Sequence, residues 1–379
     1  MIQNAALREQ PDAARRRVLV VDDSVVVRGL FSRWLADAEG LEVVGTAGNG
    51  AQAIEAVARL APDIVVLDLD MPEMDGLTAL PLLLQANPKL AIVVASTLTE
   101  RNARLSMKCL ALGAIDVLGK PSTNRDLTLS VEFRQELVRK LQGLDGARPC
   151  AMSPVRSPVA EKLATSTPGQ TGLVRDLRPY ITGDPRFLLI GASTGGPRAV
   201  AKVLGDIGGA LRNLTTLVVQ HMPPVFTASF ASQIASHTGT PAREPHDGER
   251  LVPGNIYIAP GGRHFGIARQ QGHPVARICD GAPVRFCRPA VDVLFNDAAS
   301  LLGSSAIAVV LTGMGTDGTD GARSLRAAGC AVIAQDEASS VVWGMPGSVA
   351  KAGLASLVMP ANEIGLALRF MAEKRPHAR

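Results

Sequence analysis

The sequence predicts an α/β protein built from two doubly wound parallel-sheet domains joined by a flexible linker. Three observations carry that prediction. Short apolar runs alternate with helix-period stretches over the first third of the chain, and the same rhythm returns in the second half. Between them lies a stretch rich in Pro, Gly, Ser, Thr and Arg with neither period. A length of 379 residues is enough for two independent cores.

Composition narrows the function classes. With 46% hydrophobic and 20% charged residues, the chain has the make-up of an ordinary globular protein. A net charge of +4, with basic residues scattered and only 3% aromatics, gives no nucleic-acid footprint, so no nucleic-acid partner is expected. No apolar run is long enough for a membrane span, and residues 1–17 lack a signal peptide's apolar core, so a cytoplasmic protein without direct membrane insertion is expected. The cysteines (Cys109, Cys150, Cys279, Cys287, Cys330) are odd in number and lack C-x-x-C spacing. They read as reduced, mostly core thiols.

Residues 1–17 read as a polar tail, and the first domain covers 18–142. Val18–Val21 is a strand, and Leu30, Phe31, Trp34 and Leu35 share one face of the helix that follows. Glu42–Thr46 is the next strand, followed by a helix over Ala51–Leu60. Ile64–Leu67, Ala91–Ala95 and Ile115–Leu118 complete five strands, with helical stretches near Leu77–Gln85 and Arg101–Leu112 between them. Such sheets bind ligands beyond the carboxyl ends of their strands. There the chain places Asp22-Asp23 after strand one, Asp68 after strand three, Ser96 after strand four and Lys120-Pro121 after strand five. One acidic strand end is ordinary turn chemistry. Three carboxylates converging on one spot repel unless a hard cation sits among them, which implies Mg²⁺ held by Asp22, Asp23 and Asp68. With that cation in place, Asp68 is a candidate nucleophile toward a phosphoryl group, and Lys120 and Ser96 are candidates to hold its oxygens.

A flexible tether is expected over 143–185, and βα alternation resumes over 186–379. Strands are expected at Phe187–Gly191, Thr216–Gln220, Asn255–Ala259, Ile307–Leu311, Ala331–Ala334 and Leu357–Met359. Helices are expected over Pro197–Leu204, Phe226–Ser236, Pro289–Leu301, Gly321–Ala328 and Glu363–Ala372. The first strand runs into Gly191-Ala192-Ser193-Thr194-Gly195, a G-x-S-x-G turn of the kind that lifts a serine oxygen out of a sheet. By itself this is a glycine-rich strand-to-helix turn, and it is not a dinucleotide fingerprint. A serine nucleophile needs a base and a carboxylate to orient it. All six histidines lie in this half. His221, at the end of a strand beside the serine turn, is the first candidate base, and His264 the second; His377 falls in a tail. Asp317, in the strand-end loop Thr312-Gly313-Met314-Gly315-Thr316-Asp317-Gly318, is the candidate acid, and backbone N–H groups around Met314 could face an oxyanion. The order serine, histidine, acid differs from that of α/β-hydrolases, so the G-x-S-x-G does not indicate that fold.

Two resemblances follow. Val20-Val21-Asp22-Asp23-Ser24, Leu67-Asp68-Leu69-Asp70-Met71-Pro72-Glu73-Met74-Asp75-Gly76 and Lys120-Pro121 make residues 16–142 similar to the receiver domains of two-component response regulators. That implies a flavodoxin-like fold with Asp68 as phosphoacceptor, Asp22 and Asp23 as metal ligands, Ser96 as switch hydroxyl and Lys120 as phosphate contact. Val117 stands near where receivers often carry Tyr or Phe, so an aromatic-swing step is not implied. Gly191 through Pro197, Gln220-His221-Met222-Pro223-Pro224, Ala259-Pro260-Gly261-Gly262-Arg263-His264, Arg288-Pro289-Ala290-Val291-Asp292, Gly313 through Gly318 and Gln335-Asp336-Glu337-Ala338-Ser339 make residues 186–372 resemble the catalytic domain of chemotaxis protein-glutamate methylesterases.

The second resemblance implies a larger Rossmann-like domain with Ser193 as nucleophile, His221 as base, Asp317 as orienting acid, and the Met314 amide assisted by Thr194 in the oxyanion hole. The esterase would need no cofactor. The expected reaction is hydrolysis of glutamate γ-methyl esters, with deamidation of specific glutamines, on methyl-accepting chemotaxis receptors. A chemotaxis histidine kinase would supply the phosphoryl group to Asp68, and the unphosphorylated receiver would obstruct Ser193. Two other readings stand beside it. One is a non-catalytic response regulator, against which the intact Ser193, His221 and Asp317 speak; the other is the same hydrolase chemistry in a non-chemotaxis signalling array.

Overall fold

Apolar strands too hydrophobic to leave either face in water, such as Ile64–Asp68 and Ala306–Val310, are buried along their whole length, as parallel sheets covered by helices require. The computed structural model describes residues 15–121, 127, 130–144, 176–181 and 183–373. Most of the expected tail (1–17), most of the expected tether (143–185) and the end of the chain with His377 lie outside them.

The first unit runs β1 (Arg16–Val21), α1 (Val25–Ala36), β2 (Leu41–Ala47), α2 (Gly50–Leu60), β3 (Ile64–Asp68), α3 (Gly76–Ala86), β4 (Ala91–Thr97), α4 (Glu100–Leu112), β5 (Asp116–Lys120) and α5 (Val131–Gln142). Its five strands are all parallel in the order β2-β1-β3-β4-β5. Polar side chains start its helices: Ser24, Asn49, Asp75 and Thr99 each accept from a backbone N–H three residues on. The sequence expectation carries no helix at α5, although Phe133, Leu137 and Leu141 recur there at helical spacing and are buried.

The second unit opens with β6 (Phe187–Ala192), α6 (Gly196–Ile207), β7 (Thr215–Gln220) and α7 (Phe226–Thr238). It continues through β8 (Ala242–Arg243), β9 (Asn255–Ile258), β10 (His264–Gln270), β11 (His273–Cys279), α8 (Val291–Leu302), β12 (Ala306–Val310) and α9 (Thr319–Ala327). It closes with β13 (Ala331–Gln335), α10 (Met345–Lys351), β14 (Leu357–Met359) and α11 (Ala361–Glu373). Its seven-stranded parallel sheet has the order β14-β13-β12-β6-β7-β9-β8. All six expected strands and five expected helices are present, with ends shifted by up to three residues. The two-residue β8, the antiparallel hairpin β10–β11 and the short α10 are additional.

The two units are packed together. Buried apolar side chains of both join in one continuous cluster, α4 lies against α7, and Val341 and Val342 of the second unit pack on the core of the first. No described helix is long and apolar enough to cross a membrane.

Candidate active site and phosphoacceptor site

In the second sheet β6 lies between β12 and β7, so the loops leaving these three strands share one end of the sheet. Ser193 follows β6, His221 follows β7, and Asp317 closes the loop after β12. The serine turn is held from all sides. Ser193 N–H donates to Thr312 O at 3.1 Å, and the Ser193 carbonyl accepts from Gly196 N–H at 2.7 Å and from Gln220 Nε2 at 2.8 Å. Gly195 sits at φ +76°, and a Cβ on Gly196 would stand 2.1 Å from Gln220 Oε1, so both positions require glycine.

Asp317 is buried and accepts from the Val291, Asp292 and Gly318 amides at 2.6, 2.9 and 2.9 Å and from His221 Nε2 at 2.8 Å. Burial pushes its pKa upward, but the His221 ring and these amides outweigh that and hold it below the ordinary carboxylate value. An ionised carboxylate only accepts, so Nε2 carries the hydrogen and Nδ1 is the basic nitrogen. In this arrangement Nδ1 faces Cys287 Sγ at 3.6 Å. Burial disfavours imidazolium, yet Cys287 and Asp317 together raise the His221 pKa to about 10. Among the described residues no hydrogen bond joins Ser193 to His221. Both line a cavity of about 720 Å³ that opens between the two units, with Met314, Met222 and Cys287 on its wall and α1 and α5 residues of the first unit opposite.

His264 is elsewhere. It is 2% exposed with Nε2 on Ala282 O at 2.9 Å, a histidine of the fold and not of the cavity. The Thr194 hydroxyl is also occupied: it donates to Asp116 Oδ2 of β5 at 2.8 Å, while Gly195 N–H donates to Ile115 O at 3.2 Å. Asp116 is in turn paired with Lys140 of α5 at 3.1 Å, both side chains buried.

In the first sheet Asp22, Asp23 and Asp68 bring carboxylate oxygens within 4.8 Å of one another, a hard oxygen set that fits Mg²⁺. Lys120 Nζ bridges Asp68 Oδ1 at 2.7 Å and Asp22 Oδ2 at 2.9 Å. Burial raises the Asp68 pKa to about 6 against the pull of Lys120. Ser96 Oγ is fully buried and has no hydrogen-bond partner among the described residues, near the end of β4.

Residues 188–368 match the CheB methylesterase family, and residues 18–132 match the response regulator receiver domain. The chain is 46% identical over 362 residues to the protein-glutamate methylesterase/protein-glutamine glutaminase of group 2 operon from Rhodopseudomonas palustris, covering 92% of each chain. The chain belongs to this methylesterase family. A Bradyrhizobium diazoefficiens relative of the same printed name is 42% identical over 379 residues, covering 96% of this chain and 95% of its own. Among solved structures, the Thermotoga maritima CheB methylesterase catalytic domain is 39% identical, covers 50% of this chain and 99% of its own, and has a TM-score of 0.47. Two contacts of this methylesterase-family chain escape sequence reasoning. Cys287 reads as a core thiol, and only its place one residue before the Arg288-Pro289-Ala290-Val291-Asp292 run hints that it belongs to the site. Asp116 falls inside the expected strand Ile115–Leu118, and nothing in the sequence ties it to Thr194 across 78 residues.

Proposed function

We propose that this chain hydrolyses glutamate γ-methyl esters, and deamidates specific glutamines, on methyl-accepting chemotaxis receptors in the cytoplasm, and that a histidine kinase switches it on by phosphorylating Asp68. The observation that carries the reading is the pairing of His221 with Asp317 beside the clamped Ser193 turn, at the ends of three adjacent strands. Ser193 Oγ attacks the ester carbonyl and its proton passes to His221 Nδ1, while Nε2–H stays on Asp317. The oxyanion is taken by backbone N–H groups at Met314 and Thr194. The imidazolium returns the proton to the departing methoxide, methanol leaves, and the acyl-enzyme is cleaved by water activated at the same nitrogen. With a glutamine substrate the leaving group is ammonia.

The receiver spans 18–142 and the catalytic unit 186–379. The present arrangement is read as the resting one, because Thr194 is held by Asp116 and Nδ1 faces Cys287 instead of Ser193. Strand β5 supports a route for relief. At one end Lys120 contacts the phosphoacceptor, next to it Gly119 abuts Pro223, two residues from His221, and at the other end Ile115 and Asp116 hold the serine turn. Mg²⁺ held by Asp22, Asp23 and Asp68 would neutralise charge at the phosphoryl group. Ser96 and Lys120 would take the phosphoryl oxygens, drawing Lys120 away from its present carboxylates.

An alkyl fluorophosphonate probe and methanol release from methylated receptor membranes test the catalytic reading together. Wild type is expected to be labelled and to release methanol, and Ser193→Ala to do neither. Labelling at another residue, or release that survives Ser193→Ala, would overturn it.

A further inference from the structure

Between the hairpin β10–β11 and α8 the chain makes a two-residue reversal. Val284 and Cys287 pair in antiparallel fashion, Val284 N–H donating to Cys287 O at 3.1 Å and Cys287 N–H to Val284 O at 2.8 Å. The two residues at its tip, Arg285 and Phe286, have φ of 50° and 64°. That is the left-handed region where such reversals ordinarily place Asn or Gly, and where bulky side chains are strained. Arg285 is anchored: it donates to Asp292 Oδ2 at 3.3 Å and Thr316 Oγ1 at 3.0 Å, and it pairs with Asp320. Phe286 is not. Its side chain is 84% exposed, more than any other large apolar side chain among the described residues. It stands on the cavity that holds Ser193 and His221, on a rim it shares with Pro223, Pro224 and Pro283.

A strained backbone that presents an unpacked aromatic in water destabilises the fold twice over, and such strain concentrates where ligands are gripped. From this we infer that Phe286 is a recognition residue for the protein substrate. It packs on apolar side chains of the receptor segment that flank the methylated glutamate. The inference rests on the reading of the substrate given above. A glutamate side chain is short, so when its ester reaches Ser193 the receptor backbone that carries it must lie against the cavity rim. A rigid aromatic with two rotatable bonds, set among prolines, loses little conformational freedom on gripping that segment. A small ester would enter the cavity without touching it.

The test compares wild type, Phe286→Gly and Phe286→Tyr in the full chain with phosphodonor and Mg²⁺. Each is assayed for methanol release from methylated receptor membranes, for hydrolysis of p-nitrophenyl acetate, and for thermal unfolding. Phe286→Gly is expected to lose about tenfold in kcat/KM on receptors, chiefly through KM, with the small ester within about twofold. Its unfolding temperature should stay level or rise by roughly 1–4 °C, because glycine relieves the backbone strain. Phe286→Tyr should keep receptor activity. Equal losses on both substrates would make the turn a support for His221 through Cys287, and unchanged receptor kinetics would remove any role; either overturns the inference alone. A dimer that sediments in wild type and dissociates in Phe286→Gly would assign the side chain to self-association and overturn it as well. Wild type that cleaves the small ester and releases no methanol from receptors would instead overturn the substrate reading, and this inference with it.

Discussion

At His221 a sulfur stands where the proposed mechanism places the Ser193 hydroxyl. Nδ1, the nitrogen proposed to take the proton of Ser193, faces Cys287 at 3.6 Å, and with Asp317 on the other side the ring is held charged. The sign follows from the raised pKa. Stabilisation by the charged ring is complete below the unfolded value of roughly 6.5 and is lost as pH climbs through about 10. The resting arrangement therefore loosens on the alkaline side. Cys287→Ala removes one of the two groups that raise the ring's pKa, so the pH midpoint for Ser193 labelling without phosphodonor should move down by about one unit or more, roughly 1.4 kcal/mol each. A midpoint that does not move would detach Cys287 from the base. Asp317→Asn keeps the shape but presents an NH₂ to Nε2 and reverses the tautomer, and a loss in kcat on the order of 10⁴-fold is expected. Loss of no more than tenfold, measured by methanol release, would contradict its orienting role. Ser193, His221, Asp317 and the Asp22–Asp23–Asp68–Lys120 set are legible because each stands at the end of a strand or in the short run that leaves it. Cys287 is not, because a buried cysteine in the aperiodic run Arg285-Phe286-Cys287-Arg288 looks the same whether it packs or faces a base.

The elements that read most plainly are those whose periodicity is unmixed. β12 is a continuous apolar run and β3 is one up to Asp68, and α1 carries Leu30, Phe31, Trp34 and Leu35 on its buried face. The hairpin β10–β11 is obscured by Gly266 and Pro274 within its strands, and α10 is seven residues long with a proline in its first turn, so neither offers a full period. Among elements, β5 carries the most consequence, since Asp116 serves both Lys140 and Thr194. Asp116→Asn should raise the rate without phosphodonor several-fold. It should also lower receiver stability by about 3 kcal/mol, because buried Lys140 loses its nearer carboxylate and is left with Glu136 at 3.5 Å and the Val117 carbonyl at 2.8 Å. Thermal unfolding and methanol release check the two effects separately, and a destabilised variant with an unchanged resting rate would show that this contact does not restrain the serine turn. In α3, a Cβ on Gly76 would lie 2.1 Å from Asp68 O, backbone that cannot swing aside. Gly76→Ala should cost about 1–3 kcal/mol in receiver stability, read by denaturant unfolding, and a neutral result would mean that the loop before α3 yields freely.

Over the whole molecule, what the sequence leaves hidden is the junction. Each unit's sheet follows from its own local pattern, but the Asp116–Thr194 hydrogen bond, the Gly119–Pro223 approach and the shared apolar cluster join segments far apart in the chain, and no period or motif records them. That junction makes the receiver a wall of the cavity that holds Ser193 and His221 and not merely a neighbour of it. The most direct measurement is methanol release from methylated receptor membranes by the full chain, with and without acetyl phosphate and Mg²⁺, for wild type, Asp68→Asn and Ser193→Ala. If phosphorylation frees the serine turn, wild type should rise by roughly 5–150-fold, the span of ordinary coupling free energies. Asp68→Asn should stay at the resting rate, and Ser193→Ala should release nothing. A wild-type rate that is high from the start and indifferent to phosphodonor, or an Asp68→Asn variant that is activated as strongly as wild type, would contradict the account.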